Sequence, residues 1–476
     1  MAKSGTATKL ALVNENATQA QQAFVTALQN KMTDFLGSQL DGPFSVVNYT
    51  SGFNYMVQWG PNNYYNEATI SSVDQLVAAQ DNGIESLTGQ RFSTLYQNIL
   101  QNVVYKISSA DQKTIDQAQT QFAAQMSAVI QTFENDMGTI TVTEITSSKC
   151  VPASKIGYVA WFVQQYYGGD PTKIPVTLAD FRGAYQAFLN VAALFLSITT
   201  RATNAASELA AALANTTTPS AANGGLQTGA SSYDVGYGTF PAVNDIVAAL
   251  DTATNQVEID CTLTNFTSTE STLNVEGSAG FTIPLPFISI GFGASANYSL
   301  YQYSGSASAI TISIVYPGLT KLRLDPVPLT QDLSAGWYDS NLLQEVVTKT
   351  GKDSTGFQLQ GTEFSVPELF GQGKQFARVR TFVVSQVPTI KLKFTGANLQ
   401  TVRSNFKQNA SVSLNLFDIF PIGSASESYQ VQNIDSSSSD GSVTVTLGPP
   451  VPSGTVPVQQ ATAYVVGGVI DYPPGR

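Results

Sequence analysis

The sequence predicts a multidomain α+β protein in which an elongated antiparallel helical bundle is followed by an antiparallel β-sandwich-type region. Apolar residues recur every three or four positions through the first 215 residues, which is typical of amphipathic helices. From Val257 onward the apolar period changes to two, which is typical of strands. Residues 216–232 carry no charge and many turn formers. We therefore expect a helical bundle domain at 1–215, a linker at 216–239 and a β-rich domain at 240–476.

Four long helices are predicted in the first domain. The first carries Ala20, Phe24 and Leu28 on one face and ends near Gly37. The others span 72–103, 109–138 and 177–215. Ser109 and Gln112 form a predicted capping box at the start of the third helix. Two aromatic stretches, 52–69 and 161–175, end in Gly, Pro and Asn residues and predict loops or short strands.

The β-rich domain contains a weak internal repeat. Residues 277–318 and 409–450 each combine an alternating strand, an apolar stretch with proline, a Gly-Ser-Ala stretch reaching a tyrosine, and a return strand. Either duplication or a shared hairpin constraint explains this similarity. We expect two related β-hairpin units.

The first unit includes residues 277–320, which contain no charged residue. One face of the alternating stretch, together with the return stretch, consists of Ile288, Ile290, Phe292, Ala294, Ala296, Tyr298, Leu300, Ile310, Ile312 and Ile314. A membrane-spanning β-strand needs about 9–11 residues with an apolar lipid-facing side, and the stretch 288–300 meets that requirement. An ordinary sandwich hairpin with an inward apolar face shows the same pattern, so both interpretations stay open.

A second apolar stretch lies in the helical half, at 183–200 between Arg182 and Arg201. Its largest apolar side chains are Phe188, Leu189, Leu194, Phe195 and Leu196. A helix that is apolar on all sides is typical of a core, so we favour a buried central helix over a helix that enters a membrane.

Tyrosine is abundant, and two pairs, Tyr64 with Tyr65 and Tyr166 with Tyr167, are candidates for aromatic recognition. Exposed tyrosine rings stack on sugars or lie at a membrane interface. Packing between the helical and β-rich domains explains the same clusters and is the interpretation we favour.

Composition excludes several classes of function. The chain has no histidine, which removes Ser-His-Asp and Cys-His pairs and HExxH zinc sites. A net charge of −11 without a basic block argues against nucleic-acid binding. No phosphate-binding or dinucleotide-binding glycine motif is present, and two cysteines cannot form a four-ligand zinc site without histidine. We therefore expect no enzyme activity, no cofactor and no metal.

The residues near Met1 contain only four consecutive apolar positions, 10–13, whereas a signal peptide needs about 7–15. We expect synthesis in the cytoplasm without a signal peptide, and both a non-classical route of release and an intracellular role stay open. The predicted arrangement of a helical bundle followed by a β-rich domain with an uncharged hairpin resembles that of pore-forming and insecticidal bacterial toxins. The resemblance concerns architecture alone, and no motif supports it.

The function expected first is that of a soluble, leaderless toxin-like protein that oligomerises on membranes and permeabilises them. An alternative is a self-assembling structural protein that forms a particle, filament or crystalline inclusion, because low charge density and many strand edges favour lateral packing of copies. A weaker alternative is a carbohydrate-binding protein. The expected partners are further copies of the chain, a lipid membrane or a glycan.

Overall fold

The structure, a computed structural model, describes residues 3–49, 56–58, 67–79, 83–238, 243–252, 255–267, 269–276, 278, 280–284, 288–292, 295–299, 307–396, 399–408, 411–416, 420–422, 429–449 and 462–474. The protein is α+β, with long helices and several sheets. It divides into two compact units. We call Met1–Ile99, Ala214–Ser340 and Phe364–Arg476 the β-rich unit, and Leu100–Leu213 with Asn341–Glu363 the helical unit. These divisions do not coincide with the boundaries at 215 and 240 expected from the sequence.

The helices are numbered in chain order. They are α1 (Lys3–Leu36), α2 (Glu67–Val73), α3 (Phe92–Gln101), α4 (Ser109–Met137), α5 (Val142–Ser148), α6 (Lys155–Tyr167), α7 (Ala179–Thr217), α8 (Val243–Leu250), α9 (Ser340–Lys349), α10 (Val366–Leu369) and α11 (Gln400–Gln408). Short 3-10 turns occupy Gly37–Gln39, Pro171–Lys173 and Val176–Leu178.

The strands follow the same convention. They are β1 (Phe44–Tyr49), β2 (Met56–Gln58), β3 (Gln75–Ala79), β4 (Glu85–Arg91), β5 (Val103–Lys106), β6 (Leu226–Gln227), β7 (Tyr233–Asp234), β8 (Gln256–Thr264), β9 (Glu270–Val275), β10 (Phe281–Pro284), β11 (Ile288–Phe292), β12 (Ser295–Ser299), β13 (Ala309–Pro317), β14 (Thr320–Arg323), β15 (Gly356–Leu359), β16 (Arg378–Ser385), β17 (Thr389–Thr395), β18 (Ser411–Leu416), β19 (Phe420–Ile422), β20 (Tyr429–Ser437), β21 (Ser442–Gly448) and β22 (Thr462–Asp471).

The larger sheet of the β-rich unit is antiparallel and follows the order β10-β9-β8-β13-β17-β21-β20-β18-β11-β12, with β19 beside β18. Its central strands alternate between buried and partly exposed residues, as the period of two predicts. The buried faces of β13, β17 and β21 share one core with α1 and α11. Within that core Phe24, Leu28 and Met32 of α1 are fully buried. The first predicted helix is therefore confirmed, and it packs on the sheet.

The smaller sheet follows the order β14-β16-β3-β4-β1-β22-β2, and β16 also pairs with β22. Five strands, β16, β3, β4, β1 and β22, thereby pair in a closed ring. β22 is central to this sheet because it pairs with β1, β2 and β16.

The predicted helix at 72–103 is wrong. β3 and β4 interrupt it at 75–79 and 85–91, and the only described helical residues in it are the last two of α2 and those of α3. Gly83 and Gly89 have φ values of +79° and +77°, which glycine adopts at little cost and which interrupt a helix. The prediction of loops or short strands at 161–175 is also wrong in its first half, because Trp161 to Tyr167 belong to α6.

The alternating stretch 288–300 is not one long strand. β11 and β12 pair with each other, for example Ile290 with Tyr298, so the stretch folds back as a short hairpin. β13 does not pair with either of them but lies between β8 and β17. The expectation of a 288–300 strand returning through 309–318 is therefore wrong. β11 pairs instead with β18, which belongs to the second predicted repeat.

A buried charged cluster links the smaller sheet to neighbouring segments of the β-rich unit. Asp74, whose side chain is 0% exposed, accepts hydrogen bonds from Arg91 Nε at 2.7 Å and from the backbone N–H of Ser93 at 3.0 Å. The hydroxyls of Ser93 and Tyr237 donate to the same carboxylate. The guanidinium of Arg378, which is 1% exposed, lies 5.8 Å from the Tyr237 ring. All four donors around Asp74 are therefore satisfied without water.

The helical unit is organised around α4 and α7, which run antiparallel. Phe122 of α4 lies 5.4 Å from Phe188 of α7, and Phe133 lies 5.3 Å from Phe181, measured between ring centroids. The helices predicted at 109–138 and 177–215 are confirmed as α4 and α7, with small shifts of the ends. The cap of α4 is Ser108, one residue before the predicted position. At the base of the unit β5 pairs with β15.

Candidate functional site

Exposed large apolar side chains are confined to the helical unit, in the part of the chain whose side chains the structure describes. They are Met137, Val142, Val151, Tyr166, Val176, Leu194 and Leu196. We call the first five the apolar tip, because they lie where α4 ends, α5 and α6 follow and α7 is about to begin. Leu194 and Leu196, the leucine pair, lie farther along α7. Single exposed apolar residues are ordinary, but here all of those that the structure describes lie in one unit.

Local capping explains the fold of the apolar tip. Thr141 and Glu144 form a complete capping box at the start of α5. Ser154 caps α6 by accepting from the backbone N–H of Gly157 at 3.2 Å. A Cβ atom at position 157 would lie 1.9 Å from the Pro152 carbonyl oxygen, so only glycine fits beside this loop. These contacts hold α5 and α6 in place.

Aromatic packing forms the interior of the tip. Phe133, 3% exposed, makes edge-to-face contacts with Phe162 at 5.1 Å and Phe181 at 5.3 Å. Val159 and Val163, four residues apart on α6, are fully buried against the same cluster. The tip therefore has its own core, and its exposed apolar residues are additional to that core.

Aromatic side chains with polar atoms lie on the outer side of α6. Tyr158 and Trp161 stack at 5.5 Å and are half-buried. Tyr166 is 66% exposed and lies 4.5 Å from the Phe162 ring, whereas Tyr167 is half-buried. Tyrosine and tryptophan with an apolar body and a polar edge are enriched at boundaries between apolar and aqueous phases.

The charges of the tip are balanced and largely engaged in local contacts. Residues 134–182 contain five carboxylates and four basic side chains. The Lys155 ammonium, 2.6 Å from the Glu134 carboxylate, holds the pKa of Glu134 below its usual value. The backbone N–H of Thr141 lowers the pKa of Glu144 in the same way. The hydroxyl of Thr172 lowers the pKa of Asp170. The tip thus carries little net charge, although the whole chain carries −11.

The prediction that 183–200 forms a buried central helix is wrong for its second half. Phe188 and Ala192 are buried on the side of α7 that faces α4, and Leu189 and Phe195 are half-buried. Leu194 is 47% exposed and Leu196 is 59% exposed. At this level α4 offers mainly the Phe122 ring, which stacks on Phe195 at 5.3 Å and covers one side only.

Among the described residues one helical segment, Val176–Thr217, is long and apolar enough to cross a membrane. Its most apolar 18 residues have a mean hydropathy of 1.2, and 12% of them are buried. Length and composition alone meet this criterion, and a core helix meets it as well. The low burial nevertheless separates this helix from a typical core helix.

A cavity of about 360 Å³ lies within the helical unit. The first turns of α4, the middle of α7 and residues 105–107 form its wall. Two charged side chains of opposite sign, Asp111 and Arg201, line it. Its volume is within the range of small-molecule sites.

The remaining predicted site residues fall into three groups: buried residues, residues of the hairpin strands, and residues outside the described part of the chain. Ile310, Ile312 and Ile314 are each 0% exposed in the core of the β-rich unit, so they are not available at the surface. The backbone of Ile288, Ile290 and Phe292 lies in β11, and that of Ala296 and Tyr298 in β12. Ala294 and Leu300 lie outside the described residues, as do Tyr64 and Tyr65.

Sequence reasoning missed both the exposure of Met137, Val142, Val151 and Val176 and the cavity. Isolated apolar residues at helix ends give no periodic signal, and a cavity depends on which helices become neighbours. Cys150 and Cys261 are both free and buried. No group of three or more metal-binding side chains occurs in the described part of the chain.

No protein-family model matches the sequence. No significant similarity to curated proteins or to solved structures is found.

Proposed function

We propose that the protein is membrane-active: it binds lipid bilayers through the helical unit, oligomerises there and permeabilises them. The observation that carries the proposal is the confinement of exposed large apolar side chains, among described residues, to that unit. In this proposal the β-rich unit is a sandwich-type scaffold that supplies contacts between copies. The helical unit acts as an elongated antiparallel bundle with its apolar tip toward lipid.

The energetics favour lipid over water for the leucine pair. Burying a whole leucine side chain contributes about 1.5–3 kcal/mol. Leu194 and Leu196 are 47% and 59% exposed, so together they retain roughly one leucine of unburied surface. Transfer of that surface into lipid contributes about 2 kcal/mol, or roughly a 30-fold gain in partitioning.

The charge state of the tip supports the same proposal. Its carboxylates and basic groups nearly balance, so transfer to a lipid surface removes few uncompensated charges from water. Trp161, Tyr158 and Tyr166 supply the ring type that lies at the boundary of a bilayer.

The test is dye release from phosphatidylcholine vesicles, with flotation of the same sample to measure binding. The variant Leu194→Gln with Leu196→Gln removes the leucine pair while keeping helix propensity. The control is Ala206→Gln with Ala210→Gln, two exposed positions on the same helix. We expect the wild type and the control to bind and release dye, and the leucine variant to bind about 30-fold more weakly.

Absence of wild-type binding and leakage would overturn the proposal, as would equal activity of the leucine variant and the control. Light scattering of the lipid-free sample separates the alternative function. Large assemblies that form without lipid, combined with intact vesicles, would assign the exposed surface to contacts between copies in a structural protein.

The hairpin of β11 and β12 is a second candidate for insertion within the same function. Replacing Ile290 and Phe292 together with Asp places two charges in it, and charge on a lipid-facing strand costs about 2–4 kcal/mol. Loss of leakage with retained vesicle binding would assign insertion to this hairpin and binding to the helical unit. Unchanged leakage would exclude the hairpin.

A further inference from the structure

The cavity of the helical unit carries two opposite charges that do not neutralise each other. Asp111 and Arg201 both line it, yet no ion pair joins them. Asp111 lies in the first turn of α4, and the Thr355 hydroxyl donates to its carboxylate. Arg201 lies in the middle of α7 and has no hydrogen-bond or ion-pair partner in the described part of the chain. The cavity therefore presents a carboxylate and a guanidinium that are both exposed to solvent and are not paired with each other.

The rest of the wall combines apolar side chains with hydroxyl groups. Tyr105, Ile107, Ile115 and Ala202 line the cavity together with the hydroxyl residues Thr114, Ser197 and Thr355. The Tyr105 ring is held by an edge contact with Phe357, 5.3 Å between centroids. An aromatic ring near a carboxylate is a favourable environment for a methylated ammonium group, which is poorly hydrated and attracted to the ring face.

We propose that this cavity binds a small zwitterion that joins a phosphate to a quaternary ammonium group, as in a phosphocholine moiety. Arg201 binds the phosphate through paired N–H donors. Asp111 and Tyr105 receive the ammonium group. A simple anion would be repelled by Asp111 and a simple cation by Arg201, so the pair selects a ligand that carries both charges. The inference deepens the proposed function, on which it rests for the source of the ligand, because phosphocholine is the headgroup of phosphatidylcholine.

The experiment is isothermal titration calorimetry of the full chain with soluble phosphocholine, which needs no membrane. Inorganic phosphate and choline are titrated separately. We expect phosphocholine to bind at least tenfold more tightly than either part. Arg201→Gln should weaken phosphocholine binding at least tenfold, and Asp111→Asn should weaken it several-fold while keeping an acceptor for Thr355. Arg182→Gln, on the same helix but outside the cavity, is the matched control and should bind as the wild type does.

Failure of phosphocholine to bind would overturn the inference. So would equal affinity of the wild type and Arg201→Gln, or equal affinity for phosphate and phosphocholine. Circular dichroism of each variant confirms that the helices are retained. A vesicle arm then distinguishes the sources of the ligand. Stronger flotation with phosphatidylcholine than with phosphatidylglycerol vesicles, lost in Arg201→Gln, assigns the site to a lipid headgroup. Equal flotation assigns it to the free zwitterion.

The two proposals fail in different ways. Phosphocholine binding without vesicle leakage would retain the cavity site and overturn the membrane function. Leakage without phosphocholine binding would retain the membrane function and overturn the cavity site.

Discussion

Replacing Asp74 by alanine tests how the β-rich unit is held together. The Asp74 carboxylate is 0% exposed and accepts from Arg91 Nε, the Ser93 backbone N–H and the hydroxyls of Ser93 and Tyr237. Alanine leaves all of these donors without their acceptor. Removing one partner of a buried ion pair costs about 3–5 kcal/mol. Arg91 is 36% exposed and keeps its ion pair with Asp234, so we expect about 3 kcal/mol, the lower end of that range.

Trp337 supplies the assay. It is 1% exposed, and its ring lies 5.8 Å from that of Tyr237. The chain has three tryptophans, so a background with Trp59→Phe and Trp161→Phe leaves Trp337 of the β-rich unit as the single reporter. Urea unfolding followed by its fluorescence gives the change in the free energy of unfolding, provided that the slope with urea is unchanged.

The control is Asp245→Ala, which removes an exposed carboxylate from the first turn of α8 and should cost only a few tenths of a kcal/mol. Tyr237→Phe removes one charge-assisted hydrogen bond and should cost about 1.5–3 kcal/mol. A loss below about 1 kcal/mol for Asp74→Ala would refute the reasoning, because a buried ion pair cannot be broken so cheaply.

Three further predictions concern single positions. Phe133→Ala removes the central ring of the tip core and should lower the stability of the helical unit by about 3–5 kcal/mol, measured by thermal unfolding followed through Trp161; a loss under 1 kcal/mol would contradict it. The pKa values of Glu134 and Glu144 are lowered from 4.5, so their ionised forms stabilise the tip above about pH 4.5, and this stabilisation is lost as pH falls through the lowered pKa values; hydrogen exchange at 138–178 should then accelerate, and a flat profile would count against it. Gly318→Ala should destabilise the β-rich unit by more than about 1 kcal/mol, measured by urea unfolding, because residue 318 has φ of +64° and the new Cβ would lie 1.8 Å from the Leu250 carbonyl oxygen. An unchanged unfolding midpoint would contradict this prediction and show that the loop rearranges to accept the Cβ.

Local patterns predicted the long helices well. α4 was predictable because its apolar face persists for many turns and Gly138 follows directly as its C-cap. β13 and β21 were predictable from strict alternation. The prediction for 72–103 was wrong because apolar residues there match a helical period by chance. Gly83 and Gly89 have positive φ values, and the chain turns at these positions.

Local sequence patterns could not predict which elements become neighbours in the folded protein. Nothing in residues 288–300 says that β11 pairs with β18 rather than with β13, since strand partners depend on long-range packing. The leucine pair shows the same limit. An apolar stretch on α7 predicts burial, but Leu194 and Leu196 stay exposed, whereas the ring of Phe195 between them stacks on Phe122 of α4. A candidate site formed by side chains that no neighbouring element covers can be identified only from the structure.

The position of β22 has a consequence for synthesis on the ribosome. β1 pairs with β22, which follows it by about 400 residues and follows every other described strand in the sequence. At about 5–20 residues per second, β1 emerges tens of seconds before this partner is translated. During that interval its N–H and C=O groups on that side lack the partner they have in the finished ring. A nascent chain in this state is open to pairing with another nascent chain, and chaperone binding at 44–49 would prevent it.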